Sequence, residues 1–294
     1  MKRATRIPIA GVHSPVYHVS DTSSTLDLAA ALLTDTTTAT PHLTTIIADH
    51  QSAGRGRLGR TWTTPDGQAL LASTIVSLPT SFPTEMLGWL VHACALSVRD
   101  ALSPRLSPLG HTVSLKWPND VLVDGARKIC GILAQLAPAS SPFTTSAILG
   151  YGINIAQDSD HLATPQATSL YAEGDTEAGA DPTSVSHTLL AQILTGLDCR
   201  IRGLVTHENA RDCGLADEAA NALPLLGTRI ALAKPTDPDG HPAMEGVALG
   251  LSPTGSLLVA TDDGRTHDIN AGDVLATGIP LTTVHDTKEK RANN

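Results

Sequence analysis

The stretch AGRGRLGRTW, from Ala53 to Trp62, sets three glycines and three arginines into the seven positions Gly54 to Arg60. Guanidinium groups make bidentate, charge-assisted bonds to phosphates and carboxylates, and glycine lets a main chain come close to a ligand. A loop of this composition is suited to wrapping an anion. Gly54, Gly56 and Gly59 also satisfy G-x-G-x-x-G, but a dinucleotide fingerprint needs a helix opening at the third glycine and an acid about 20 residues on. Here TWTTPDG follows, and residues 70 to 80 contain no acid. The phosphate-binding pattern G-x-x-x-x-G-K-[ST] is absent. On the loop alone, a solvated basic turn with glycines at positive φ is an equal reading.

Three further motifs follow in order: KWPND (Lys116 to Asp120), RKICGIL (Arg127 to Leu133) and GYGINI (Gly150 to Ile155). Together with HQSAGRGRLGRTW they resemble the biotin protein ligases, which adenylate biotin and attach it to a lysine of a carboxylase carrier domain. The resemblance covers residues 20 to 170, and the C-terminal part by texture only. It implies biotin contacts from Ser24 and Thr25, with Leu26 where the family has asparagine, and from Gln51 and Gly131. It implies that Arg55, Gly56 and Arg57 order over biotin and the adenylate phosphate, with Trp62 as the aromatic beyond the loop. Lys128 matches the catalytic lysine, Asn119 belongs to the nucleotide side, and Asn154 matches the adenine-side asparagine. A late family arginine has no match: GDVLATG shows Ala276 and Thr277 in its place.

The chemistry suits these residue types. Joining a carboxylate to ATP brings two anions together, so cations placed at the developing charge lower the barrier. Arg55, Arg57 and Lys128 supply that field, with Mg²⁺ riding on the ATP phosphates and no metal ligand assigned to the protein. Asp120 is the candidate to accept the proton of the attacking carrier lysine or to hold its amine in place. Each residue has a plainer rival: Lys128 as a strand-end lysine, Asp120 as a turn cap, Asn119 as an Asx-turn residue, Asn154 as a partner for backbone groups. Trp117 reads as a packing residue.

The elements that must position these groups follow from periodicity. STLDLAAALL (24 to 33) reads as a first helix after a Ser/Thr cap, and 43 to 51 and 69 to 78 as strands. Leu87, Leu90, Val91, Cys94, Val98 and Leu102 fall at helical spacing, a helix expected to stop near Pro104. Two apolar runs joined by Asp124-Gly125 predict a hairpin, and 145 to 156 a further strand. Residues 157 to 183 read as a loop, followed by a helix bearing Leu189 to Leu204 and another over about 206 to 222. From Gly227, short β runs with turn signals suggest a small barrel. The expected fold is α+β: a central mixed or antiparallel sheet flanked by helices, as in class II aminoacyl-tRNA synthetases, with a small C-terminal SH3-like barrel. The expected domains are 1–224, catalytic, and 225–294, barrel and tail.

Composition narrows the partners. A net charge of −9 argues against general affinity for nucleic acid or an anionic membrane. The four cysteines form no C-x-x-C pair, the twelve histidines no H-E-x-x-H, and no run of about 18 apolar residues marks a membrane span. A reducing cytoplasm is the expected setting. The implied acceptor is the biotin carboxyl carrier domain of an acyl-CoA or pyruvate carboxylase, and family members dimerise through an edge of the central sheet, which leaves a homodimer open. The alternatives are a lipoate ligase, a catalytically dead binder, and a biotin-responsive repressor. The repressor is disfavoured because fewer than about 25 residues precede the first helix, too few for a three-helix DNA-binding module. The glycine–arginine loop is expected to be disordered when empty, its arginines repelling one another.

Overall fold

Residues 69 to 79 are buried almost without a break, the pattern of a strand covered on both faces. In the computed structural model, which describes residues 4–35, 37–141, 144–233 and 242–277, that strand lies inside an eight-stranded sheet. The first of two units, ending at Pro224, contains β1 (Thr5–Ile7), β2 (Val16–Thr22), α1 (Thr25–Thr34), β3 (Thr45–Gln51), β4 (Ala69–Pro79), α2 (Gly88–Leu106) and β5 (Val113–Lys116). It continues with β6 (Asp120–Val123), β7 (Arg127–Ser141), β8 (Thr144–Asn154), α3 (Thr176–Ala180), α4 (Pro182–His207) and α5 (Leu215–Ala222). The strand order is β1-β2-β3-β4-β8-β7-β6-β5. Only β2 and β3, joined through α1, run parallel.

Strand alternation assigns the helices to faces. Leu26, Ala29, Leu32 and Leu33 of α1 pack on Ile46, Ile75 and Ile148, and Leu26 also covers Gly150, two residues along β8. Tyr151 points to the opposite face, where burial and then the nearby Cys94 of α2 raise its pKa. Burial pushes the Cys94 thiol up to about 12, so it packs as a small apolar group. Helix α2 in turn packs along α4. One helix thus covers one face and a helical layer the other, in the α+β class expected.

Several boundaries differ from the sequence reading. Helix α2 does not stop near Pro104 but runs through it to Leu106. A proline one turn from the end removes a single hydrogen bond, and left-handed Gly110 (φ 89°), after a 3₁₀ turn, ends the segment. Lys116 to Asp120 is a tight hairpin between β5 and β6, with a cis Trp117–Pro118 bond, so the expected two runs are three strands. Asp124 and Gly125 both have positive φ (51° and 67°), as a two-residue hairpin turn requires. Residues 157 to 183 are not all loop: Asp175 caps α3 by accepting the Ala178 N–H and pairs with Arg105 at 2.6 Å. The helix expected over 206 to 222 is only Leu215–Ala222, since Glu208 and Gly214 are left-handed. β1 and β2 have no counterpart in the reading, because His18, Ser20 and Asp21 interrupt the apolar pattern of β2.

Three residues before β3, His42 gives the fold a pH dependence. Its Nδ1 accepts the Ser77 N–H at 3.2 Å, and its Nε2 lies 3.4 Å from Asp198. Burial lowers its pKa, outweighing Asp198, which raises it, while Arg202 lowers it further. The unfolded chain therefore takes up a proton near pH 6.5 that the native state refuses, and stability present above that pH is lost as pH falls through the lowered native value. His42→Asn, whose Oδ1 still accepts the Ser77 N–H, is expected to lose less stability than wild type between pH 7.5 and 5.5 in urea melts.

The second unit, from Leu225, carries β9 (Arg229–Ala233), β10 (Pro242–Leu251), β11 (Leu257–Ala260), β12 (Thr266–Ile269) and β13 (Asp273–Thr277). They form an antiparallel sheet ordered β12-β11-β10-β9-β13. Its core includes Ile230, Leu232, Ala248, Leu257 and Val259, and Arg229 clamps Asp262 with two bonds of 2.9 and 2.7 Å. Gly278 and the rest of the expected C-terminal tail lie outside the described residues. Among the described residues, no helix is long and apolar enough to cross a membrane.

Candidate active site

The glycine–arginine loop is a closed hairpin. Gly56 N–H donates to Arg60 O at 2.7 Å and Trp62 N–H to Gly54 O at 2.9 Å, while Arg55 and Thr61 form a β-bridge. Two glycines have distinct reasons. A Cβ on Gly54 would lie 2.3 Å from the Trp62 carbonyl oxygen, and Gly59 has φ 73°. Two of the loop's arginines have side-chain partners outside it: Arg55 is ion-paired with Asp27 of α1, and Arg57 Nη1 donates to Asn119 Oδ1 at 3.1 Å. Asn119 passes the link on, its amide donating to Ile132 O at 2.6 Å.

Beneath the loop lies a floor made of glycine. Gly131 of β7 pairs with Gly152 of β8, and Leu133 pairs with Gly150. The Trp62 indole lies on the first pair: a Cβ on Gly131 would meet Trp62 Cζ3 at 3.1 Å, and one on Gly152 would meet Cε2 at 2.5 Å. Lys128 stands over the indole with Nζ 5.6 Å from the ring centroid. Lys128 and Gly131 are three residues apart, so plain alternation would put them on opposite faces. The register shift on β7 resolves this: Val121 pairs with Cys130 but Leu122 with Lys128, leaving Ile129 as the extra residue of a bulge. Lys128 thereby shares the face of Gly131, its Nζ 3.2 Å from where a Gly131 Cβ would be. Asp120 is the cross-strand partner of Gly131, and its Oδ1 lies 2.6 Å from Lys128 Nζ. The contact is an ion pair and not an aligned hydrogen bond, so this solvent-sealed oxygen still has room to accept from a second donor.

The other end of the cavity is polar and neutral. Thr25 donates both its N–H and its hydroxyl to Gln51 Oε1, at 2.8 and 3.0 Å, and Ser73 donates to Thr25 Oγ1 at 2.8 Å. This fixes the Gln51 carbonyl inward and leaves its amide donors toward the loop. Ser24 Oγ is buried with no hydrogen-bond partner, a cost unless a ligand supplies one. Ser24, Thr25, Gln51, Arg55, Gly56, Trp62, Asn119, Lys128 and Gly131 all line this one cavity. Ser73 and Asp27 were missed, since nothing in their local sequence distinguishes them.

Asn154 has a different place. It is 6% exposed, donates to Thr168 O at 2.8 Å, and accepts from Gln157 Nε2 at 3.1 Å. It fastens the segment that runs beside Lys128, where Lys128 N–H donates to Gln166 O and Thr168 N–H to Lys128 O. Among the described residues, His111 before β5, Asp124 on the β6–β7 turn and Glu173 after β8 come close enough together to hold a metal. There Arg127 bonds both carboxylates, at 2.7 Å to Asp124 and 2.6 Å to Glu173. Trp117 is 3% exposed, a packing residue as read.

The floor makes a graded prediction. Gly152→Ala drives a methyl into the indole at 2.5 to 2.8 Å, and overpacking of this kind costs about 1–3 kcal/mol unless Trp62 leaves its seat. Gly131→Ala meets the ring only at 3.1 Å. Urea midpoints and tryptophan emission should therefore move further for Gly152→Ala than for Gly131→Ala.

Comparison with known proteins gives one direction. The profile described as Biotin/lipoate A/B protein ligase family matches residues 20–154, and that described as Biotin protein ligase C terminal domain matches 236–275. The chain is 34% identical over 230 residues to the biotin--[acetyl-CoA-carboxylase] ligase of Mycobacterium tuberculosis, covering 78% of this chain and 77% of that one. It is 36% identical over 139 residues to the enzyme of the same name from Paracoccus denitrificans, 47% of this chain and 55% of that one. The structure of the Aquifex aeolicus biotin protein ligase in complex with biotin and ATP superposes with a TM-score of 0.61 at 25% identity, covering 89% of this chain and 97% of that one.

Proposed function

Since this chain belongs to the biotin protein ligase family, we propose that its cavity carries out both half-reactions of that family on the groups described above. The enzyme is an ATP-dependent biotin–protein ligase: it activates biotin to biotinyl-5′-AMP and transfers the biotinyl group to a lysine of the acetyl-CoA carboxylase carrier domain. The observation that carries the assignment of roles is the polarity of one cavity, cationic at Arg55 and Lys128 and neutral at Ser24, Thr25 and Gln51.

Biotin is an apolar bicycle with a ureido group at one end and a carboxylate at the other. The Gln51 amide N–H groups can donate to the ureido oxygen and the unpaired Ser24 Oγ can accept from a ureido N–H, and Leu26 over Gly150 offers an apolar wall. The carboxylate then extends along the Trp62 face toward Lys128. A carboxylate oxygen attacks the α-phosphorus of ATP, the bond to the β-phosphate bridging oxygen breaks, and pyrophosphate leaves. Lys128, Arg55 and Arg57 stabilise the charge that builds on the phosphoryl oxygens. Mg²⁺ would arrive on the ATP phosphates and would supply charge neutralisation there, while Lys128 holds Asp120 in place at 2.6 Å. In the second step the acceptor amine attacks the acyl carbon, AMP leaves with the bonding pair, and Asp120 receives the amine proton. Asn154 serves the adenine side through the segment it fastens beside Lys128.

The carrier of pyruvate carboxylase is a second acceptor within this proposal, and the four free cysteines suit a cytoplasmic setting. Purified protein with biotin, MgATP and an apo-carrier domain should release one pyrophosphate per biotinylated carrier. Labelling only with lipoate would reassign the chain to the lipoyl branch, and binding without labelling would leave it a non-catalytic binder.

A further inference from the structure

We propose that Asp27 is a positioning residue that holds the glycine–arginine loop across the pocket by gripping Arg55. Asp27 sits in the first turn of α1, beside the pocket residues Thr25 and Leu26, and its Oδ1 accepts from Arg55 Nη2 across 28 positions of sequence. The loop's backbone bonds between Gly54 and Trp62 are internal and give it a shape, and the Trp62 indole on Gly131 and Gly152 seats its far end. Side-chain tethers hold its arginine-bearing part as well, among them Arg57 to Asn119 on the β5–β6 turn and Arg55 to Asp27 on α1. One tether runs to the helix that carries Thr25 and Leu26 and the other to the turn that carries Asn119, all three of them cavity-lining residues.

The strength of the α1 tether suits that task. Both partners are about half exposed, Arg55 at 45% and Asp27 at 55%, and exposed pairs contribute little and are screened by salt. Such a grip biases the loop toward closure and still lets it release within a catalytic cycle. Asp27 engages Arg55 through Nη2, and Arg55 also lines the cavity, so its other N–H groups are left for a ligand anion. This inference rests on the ligase reading for the ligand but not for the latch. A competing structural role is charge–dipole stabilisation of the α1 N-terminus, where Ser24 makes no side-chain capping bond.

The loop carries its own reporter, because trypsin cuts after Arg55, Arg57 and Arg60. In the full-length protein, Asp27→Ala should speed loop cleavage by about three- to fivefold, Asp27→Glu should restore near-wild-type rates, and 0.5 M salt (a probe condition, about a 4 Å screening length) should narrow the difference. The KM for biotin should rise by a similar factor with kcat within about twofold. Unchanged cleavage accompanied by a lowered melting temperature would assign Asp27 to the helix terminus and overturn the proposal. So would a fall in kcat at constant KM, which would place it in the chemistry. If wild type turned over neither biotin nor ATP, the ligase reading would fail, while the tryptic comparison would still decide the role of Asp27.

Discussion

Replacing Lys128 with methionine is expected to slow pyrophosphate release from biotin and ATP by about 10²–10³-fold, the loss typical of removing one preorganised donor from developing charge. Methionine keeps the unbranched stem beside Gly131 and Trp62, so the change is chiefly of charge. The stability effect should be small: Lys128 is 35% and Asp120 20% exposed, and a partly solvated pair lost on one side costs about 1 kcal/mol. Lys128→Arg should rescue little, because Nζ already lies 3.2 Å from the position of a Gly131 Cβ and a guanidinium is wider than an ammonium. Rapid-quench measurement of the first turnover separates this loss from product release. A rate within threefold of wild type would remove Lys128 from the chemical step.

The position of that lysine also shows what sequence reasoning reaches. KWPND, RKICGIL and GYGINI are legible because the groups they carry lie on consecutive antiparallel strands, β5 to β8, where chain order and spatial order coincide. Their geometry is not legible. The three-residue spacing of Lys128 and Gly131 puts them on one face only through the Ile129 bulge, and Ile129 and Cys130, both fully buried, read simply as strand. Ser73 and Asp27 matter through partners 48 and 28 residues away, a relation local patterns do not contain. Asn154 shows the converse. Its motif marks it for the adenine side, and the structure adds a role that the motif does not contain, its amide bonded to Thr168 and Gln157. The clamp needs the backbone path of 166 to 170, and a reading that called 157 to 183 loop had no such path.

Asp120→Asn is expected to separate the two half-reactions. Transfer from preformed biotinyl-adenylate to the carrier should fall by about 10²-fold, within the range contributed by a positioned proton acceptor, while adenylation falls only a few-fold through the loosened Lys128. Asparagine keeps the shape of the side chain and its place opposite Gly131 but takes no proton. Asp120 Oδ1 is sealed from solvent with the Lys128 ammonium 2.6 Å away and no aligned hydrogen-bond donor, so an arriving amine finds an acceptor already oriented. The pH dependence distinguishes proton transfer from mere anchoring. Without an internal acceptor, the variant must wait for acceptor lysine that is already neutral, a fraction that rises about tenfold per pH unit below its ordinary pKa of about 10.4. Single-turnover transfer by Asp120→Asn should therefore climb with a slope near one between pH 7 and 9 and close the gap to a flatter wild type. Parallel profiles would mean that Asp120 holds the amine without taking its proton, and equal rates at every pH would leave it only as the partner of Lys128.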